Sequence, residues 1–73
     1  MEKKVLEILK TVLGLDSIDA SVSSQNCKKW DSMAQLNISV EIEAEFGVSL
    51  EPEEIANMAS YVDILRILKA KGV

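Results

Sequence analysis

At 73 residues the chain has room for one compact domain, 1–73, and none for a larger enzyme cleft; at 48% hydrophobic but only 4% aromatic, its core is more readily built from helices than sheets. It has no His and one Cys, so the commonest general base, metal ligand and near-neutral proton switch are missing, and Cys27 has no partner for a disulfide or a thiolate zinc site, as suits a reducing cytoplasm. The net charge of −4 is uneven: Asp31 to Leu65 holds eight acids and no base against four acids and eight bases elsewhere, so the longest single-sign field has the wrong sign for nucleic acid.

Met1 to Lys4 carries both signs of charge and leads directly into a periodic segment, and no apolar run approaches the ~18 residues of a membrane span. Neither an export signal nor a span is expected. Val5, Leu6, Ile8, Leu9, Val12 and Leu13 recur at i, i+3, i+4, i+7, which predicts a helix over Glu2 to Leu13, closed by Gly14 as a left-handed cap. Leu15 to Trp30 turns to Asp, Ser, Ala, Asn and Gln, a long loop pinned by Leu15, Ile18 and Val22. A loop of that length in so small a domain is often functional.

Leu36, Ile38, Val40, Ile42, Ala44 and Phe46 alternate with Asn37, Ser39, Glu41, Glu43 and Glu45, the period of a half-buried strand. Two facts outweigh that period. Asp31 and Gly47 stand where the two caps of a helix belong, at a helical distance, and no other segment offers a strand for pairing. The prediction is a helix with apolar residues on several sides, packed against more than one neighbour or presenting side chains to a partner or cargo. Pro52, Glu53 and Glu54 suit the first turn of a short helix of about two turns, with Ile55 and Met58 turned inward. Ser60 and Asp63 resemble a capping box, and Tyr61, Ile64, Leu65 and Leu68 form the stripe of a last helix ending at Lys69 to Lys71. The layout is all-α, three longer helices and one short one, with a long first loop.

The constellation that could carry chemistry is Trp30-Asp31-Ser32-Met33 at the start of the second helix. Taken alone it is ordinary: Asp caps, Ser fills the first turn, Trp and Met pack. Its context is more specific. Asp31-Ser32-Met33, Glu43-Ala-Glu-Phe-Gly-Val48, Pro52-Glu-Glu-Ile55 and Ser60-Tyr-Val-Asp-Ile-Leu65 follow one another without an insertion. This pattern resembles the acyl carrier protein family, with Asp-Ser-Met for its Asp-Ser-Leu. The resemblance implies a four-helix bundle of acyl-carrier type and a carrier rather than a catalyst. Ser32 would receive 4'-phosphopantetheine from coenzyme A, and the thiol of that arm would hold an acyl or aminoacyl group as a thioester. Asp31 would cap the helix and help a phosphopantetheinyl transferase hold its metal and coenzyme.

The chain itself is physically suited to that role. A phosphodiester at a helix start lies near the positive end of the macrodipole and near unpaired backbone N–H groups. Ser32 has no His to deprotonate it, which would disable a hydrolase but not a serine modified by a separate enzyme. Trp30, just before the motif, Met33, its last residue, and Glu41 and Glu45, at positions that family members present to basic patches, are the candidate partner contacts. The partners implied are the transferase, an acyl-loading ligase or transferase and a downstream synthase or transferase, met by a monomeric carrier. Cys27 is expected to be a small hydrophobe or incidental thiol, and Lys28 and Lys29 a solvated pair.

Some positions depart from the family. Gln35 and Asn37 stand where fatty-acid-synthesis carriers usually place acids, and Trp30 and Met33 replace a small residue and Leu. These lean toward a specialised pathway, such as polyketide, nonribosomal peptide, aminoacyl or short hydroxyacyl transfer. A further expectation is that some of Met33, Leu36, Val40 and Ile42 line a space where a short acyl chain could shelter. The rival reading is a small helical adaptor whose acidic face docks a partner and whose Ser32 is a plain first-turn residue.

Overall fold

The computed structural model describes residues 1–73, which form α1 (Glu2–Leu13), α2 (Ser32–Phe46), α3 (Pro52–Ala56) and α4 (Tyr61–Ala70) and no named strand. The fold is the expected all-α arrangement. Its radius of gyration is 10.9 Å.

Both long helices at the N-terminal side end as their glycines require. Gly14 (φ 65°) and Gly47 (φ 63°) take left-handed backbone conformations, where a Cβ is strained even in the open space around Gly47. The strand-like alternation in α2 resolves on three dimensions. Ala34, Ile38 and Ile42, four residues apart, enter the core, whereas Met33, Leu36 and Val40 face solvent, so the helix is apolar on two sides because only one is spent on packing. Buried Ser39 is satisfied within the helix, its Oγ donating to the Leu36 carbonyl at 2.6 Å.

One core of 13 residues joins the elements: Val5, Leu9 and Leu13 from α1, the three from α2, Tyr61, Ile64 and Leu68 from α4, and Val22, Trp30, Leu50 and Met58 from the connections. α1 is the central element, packing along α2 and also against α4, while α2 also meets α3. Each fully buried aliphatic side chain here contributes about 1.5–3 kcal/mol.

The long loop is ordered by tertiary contacts. Val22 is buried with Leu15 and Ile18 packed nearby, and Ser23 bridges to Ser60: Ser24 N–H donates to the Ala59 carbonyl (2.8 Å) and Tyr61 N–H to that of Val22 (3.1 Å). Within the loop, Asn26 donates to the Ser21 carbonyl and accepts from Ser23 N–H. The Ser21 hydroxyl and N–H both donate to Asp19, which holds that carboxyl below its ordinary range.

α3 is shorter than expected. It has five residues, less than a turn and a half, none buried, because Asn57 ends it, and the inward Met58 lies in the connection beyond. At the next helix Ser60 Oγ accepts from Asp63 N–H (3.0 Å), but the Asp63 carboxylate reaches back to Ala59 N–H (3.3 Å) rather than to Ser60, a capping box displaced by one residue.

Candidate functional site

The site is built at the junction of the long loop and α2. Asp31 is extended (φ −101°, ψ −172°), and its Oδ1 accepts the Ala34 N–H at 2.8 Å, fixing where the helix starts. Ser32 is therefore the first residue of α2, and it is exposed. Around it the α2 macrodipole is positive and the first backbone N–H groups have no partner inside the helix. No basic side chain lies in the first turn.

On the α3 side, Ser32, Gln35, Leu36 and Ile55 line a depression of about 270 Å³ open to solvent. Gln35 spans it: Nε2 donates to the Ile55 carbonyl at 2.6 Å, with the Ala56 carbonyl at 3.4 Å. On the outer side Met33, Leu36 and Val40 are 68%, 52% and 56% exposed and follow one helical stripe.

A family model described as a phosphopantetheine attachment site matches residues 3–68. The chain belongs to that family. No individual curated protein matches it significantly. Domains of this family are carriers, and the prosthetic group they attach is 4'-phosphopantetheine. In this carrier Ser32 is exposed at a helix start that favours an anion, and the adjoining depression mixes an apolar edge from Leu36 and Ile55 with an amide from Gln35. No group of three or more His, Cys, Asp or Glu is placed to hold a metal, and no helix is long and apolar enough to cross a membrane.

The structure brings Asp31, Ser32 and Met33 together on the surface, but Trp30 requires correction as a partner contact. It is only 4% exposed and belongs to the core cluster, so its ring is not available to a partner. Its N–H donates to the Cys27 carbonyl at 3.0 Å, closing a turn just before the motif, while its indole Nε1 has no partner.

The expected acyl shelter also needs correction. Ile42 is fully buried in the packed core and Met33 is exposed, while Leu36 and Val40 each line a separate depression that is open to solvent rather than a shelter. The depression at Val40, lined also by Val12, Asn37 and Glu41, is open to solvent like the one at Ser32.

Glu41 and Glu45 are exposed one turn apart and border a shallow groove between α1 and α2 that Lys4 and Glu7 also line. Lys4 and Glu7 cancel in formal charge, so the groove keeps the acidic field of Glu41 and Glu45. Of the loop lysines, Lys28 is exposed and Lys29 has a structural contact, its Nζ donating to the Gly14 carbonyl at 3.3 Å, at the negative end of α1. Cys27 is half-buried against the core. In the sequence Gln35 stands out only as a missing acid. Its link to α3 had no local signal, because the carbonyls it binds lie about twenty positions away.

Proposed function

We propose that this protein, as one domain over 1–73, carries acyl or aminoacyl intermediates as thioesters on a 4'-phosphopantetheine arm attached through Ser32. The intermediates are presented to enzymes of fatty acid, polyketide, nonribosomal peptide or related biosynthesis. The observation that carries this reading is an exposed serine hydroxyl at the first position of α2, fixed there by the Asp31 cap, in a chain whose family attaches this group.

Loading forms one bond and breaks one. Ser32 Oγ bonds to the phosphorus that bears the pantetheine in coenzyme A, the pyrophosphate P–O bond breaks, and adenosine 3',5'-bisphosphate leaves. The hydroxyl proton goes to a base on the transferase, because this chain has no His to take it. The arm then supplies a terminal thiol for thioester formation. Asp31 holds the helix start and, with the transferase, the metal and coenzyme. Met33, Glu41 and Glu45 form the surface that partners meet.

The test is intact mass after incubation with coenzyme A and a broad-specificity phosphopantetheinyl transferase. The wild-type chain gains one phosphopantetheine, Ser32→Ala gains none while keeping its helical spectrum, and Cys27→Ser loads normally. An unmodified wild-type chain would return the adaptor reading, and a modified Ser32→Ala would place the arm elsewhere.

A further inference from the structure

α3 is suspended rather than buried. None of its five side chains is buried, and it spans the gap between two core residues, Leu50 before it and Met58 after it. Ile55 is partly buried against the core, and polar ties at both ends add to what sets the position of α3. At the N-terminal side, Leu50 N–H donates to the Glu43 carboxylate of α2 (2.8 Å), and the Glu54 carboxylate accepts both Glu51 N–H (2.8 Å) and the Lys71 ammonium (2.9 Å) beyond α4. At the C-terminal side the side-chain tie from α2 is Gln35, whose amide meets the carbonyls of Ile55 and Ala56. That is the end beside Ser32, and Ile55 and Gln35 both line the depression there.

We propose that Gln35 is a positioning residue for the prosthetic arm. By donating its amide to the end of α3 it holds Ile55 opposite Leu36, and so shapes the depression in which the pantoyl portion of an arm on Ser32 rests. The chemistry selects the residue type. The Ile55 and Ala56 oxygens are acceptors at the negative end of a helix, so the tie requires a donor. An ionised acid at this position has no hydrogen to give and adds like charge beside the carbonyls. A methionine fills similar space without donating, and a lysine donates with a favourable charge. The length also matters, since the side chain must cross from one helix to the next.

This inference about the arm rests on Ser32 being its attachment point, but the tie itself is testable without the arm. Amide hydrogen exchange of the unmodified protein is compared for wild type, Gln35→Met, Gln35→Glu and Gln35→Lys. Losing one neutral hydrogen bond is expected to speed exchange at Ile55, Asn57 and Met58 by about five- to tenfold in Gln35→Met. The loss should be larger in Gln35→Glu and small in Gln35→Lys, with the amides of Leu9, Ile38 and Leu68 unchanged in all three. In the modified protein, cross-relaxation between the pantoyl methyl protons and the Ile55 side chain should be present in wild type and Gln35→Lys and weakened in Gln35→Met.

Equal exchange in wild type and Gln35→Met, or equal acceleration in all helices, would overturn the tie. Loosened α3 with unchanged pantoyl contacts, or no such contacts in wild type, would overturn its role toward the arm. A wild-type chain that takes no arm at Ser32 instead defeats the attachment reading, a result the mass measurement gives separately.

Discussion

Replacing Asp31 separates its work as a helix cap from its work as a charge. Its Oδ1 is 2.8 Å from Ala34 N–H, so Asp31→Ala leaves that N–H without its protein acceptor and costs about 1 kcal/mol, within the usual ~0.5–2 for such caps. Removing a carboxylate from the positive end of a 15-residue helix adds about 0.3–1 kcal/mol. Taking roughly 1.5 kcal/mol together, and 4–8 °C per kcal/mol for a chain of this size, Asp31→Ala should lower Tm by about 6–12 °C. Asp31→Asn keeps an oxygen acceptor and loses only the charge, so its Tm should fall by less than half as much. Thermal melts followed by circular dichroism at low salt measure both. Loading by the transferase, read at a temperature where both variants are folded, should fall in Asp31→Asn even though its cap is intact, if the carboxylate also helps hold metal and coenzyme. A Tm of Asp31→Ala within about 2 °C of wild type, or equal destabilisation by Asn and Ala, would refute the capping argument.

Val40→Phe should change stability by no more than about 0.5 kcal/mol in urea unfolding, because Val40 is a 56% exposed surface side chain and not the wall of a void. A large loss would show packing at Val40 that its exposure denies. Burial, and after it the Glu2 charge, raise the Tyr61 phenol above its ordinary 10.0. Above pH 10 the unfolded chain gives up this proton while the native chain keeps it, so stability is full below pH 10 and declines as pH rises toward the native value. The urea midpoint should therefore fall above pH 10, and Tyr61→Phe should remove that part of the slope. Changing Glu41 and Glu45 together to Lys should slow transfer by the cognate enzyme through its association rate, with the difference shrinking as added salt shortens the Debye length below ~10 Å. Unchanged transfer at low salt would make both glutamates plain solvated surface.

Local chemistry was legible in the sequence, and long-range side-chain placement was not. Gly14 and Gly47 mark both helix ends because a positive φ favours a residue without Cβ, and Asp31 marks the start of α2 because its side chain accepts the Ala34 N–H there. Those caps outweigh the strand-like alternation in α2. Which of its apolar residues lie inside was beyond reach, since the choice depends on where α1 packs: Ile38 and Ile42 are buried and Leu36 and Val40 are not. Trp30 was misplaced for the same reason. Neighbouring a motif in sequence says nothing about whether a ring points up or down, and this ring points into the core. The family pattern points to Ser32 as the candidate, whereas the ties of Gln35 and Lys29 join positions with no repeating spacing to reveal them.

The Ser23–Ser60 bridge has a consequence for the order in which this molecule assembles. The contacts that close α1 or α2 are local and form quickly, but pairing Val22 and Ser24 with Tyr61 and Ala59 joins positions nearly forty residues apart, with the loop-closure entropy that such a separation entails. The segment leading to Ser32 therefore cannot be fastened to the start of α4 until that distant stretch is brought back to it, despite its early place in the chain. During synthesis it has no pairing partner until Tyr61 has emerged, so a growing chain can contain both long helices while the approach to Ser32 is still unfastened.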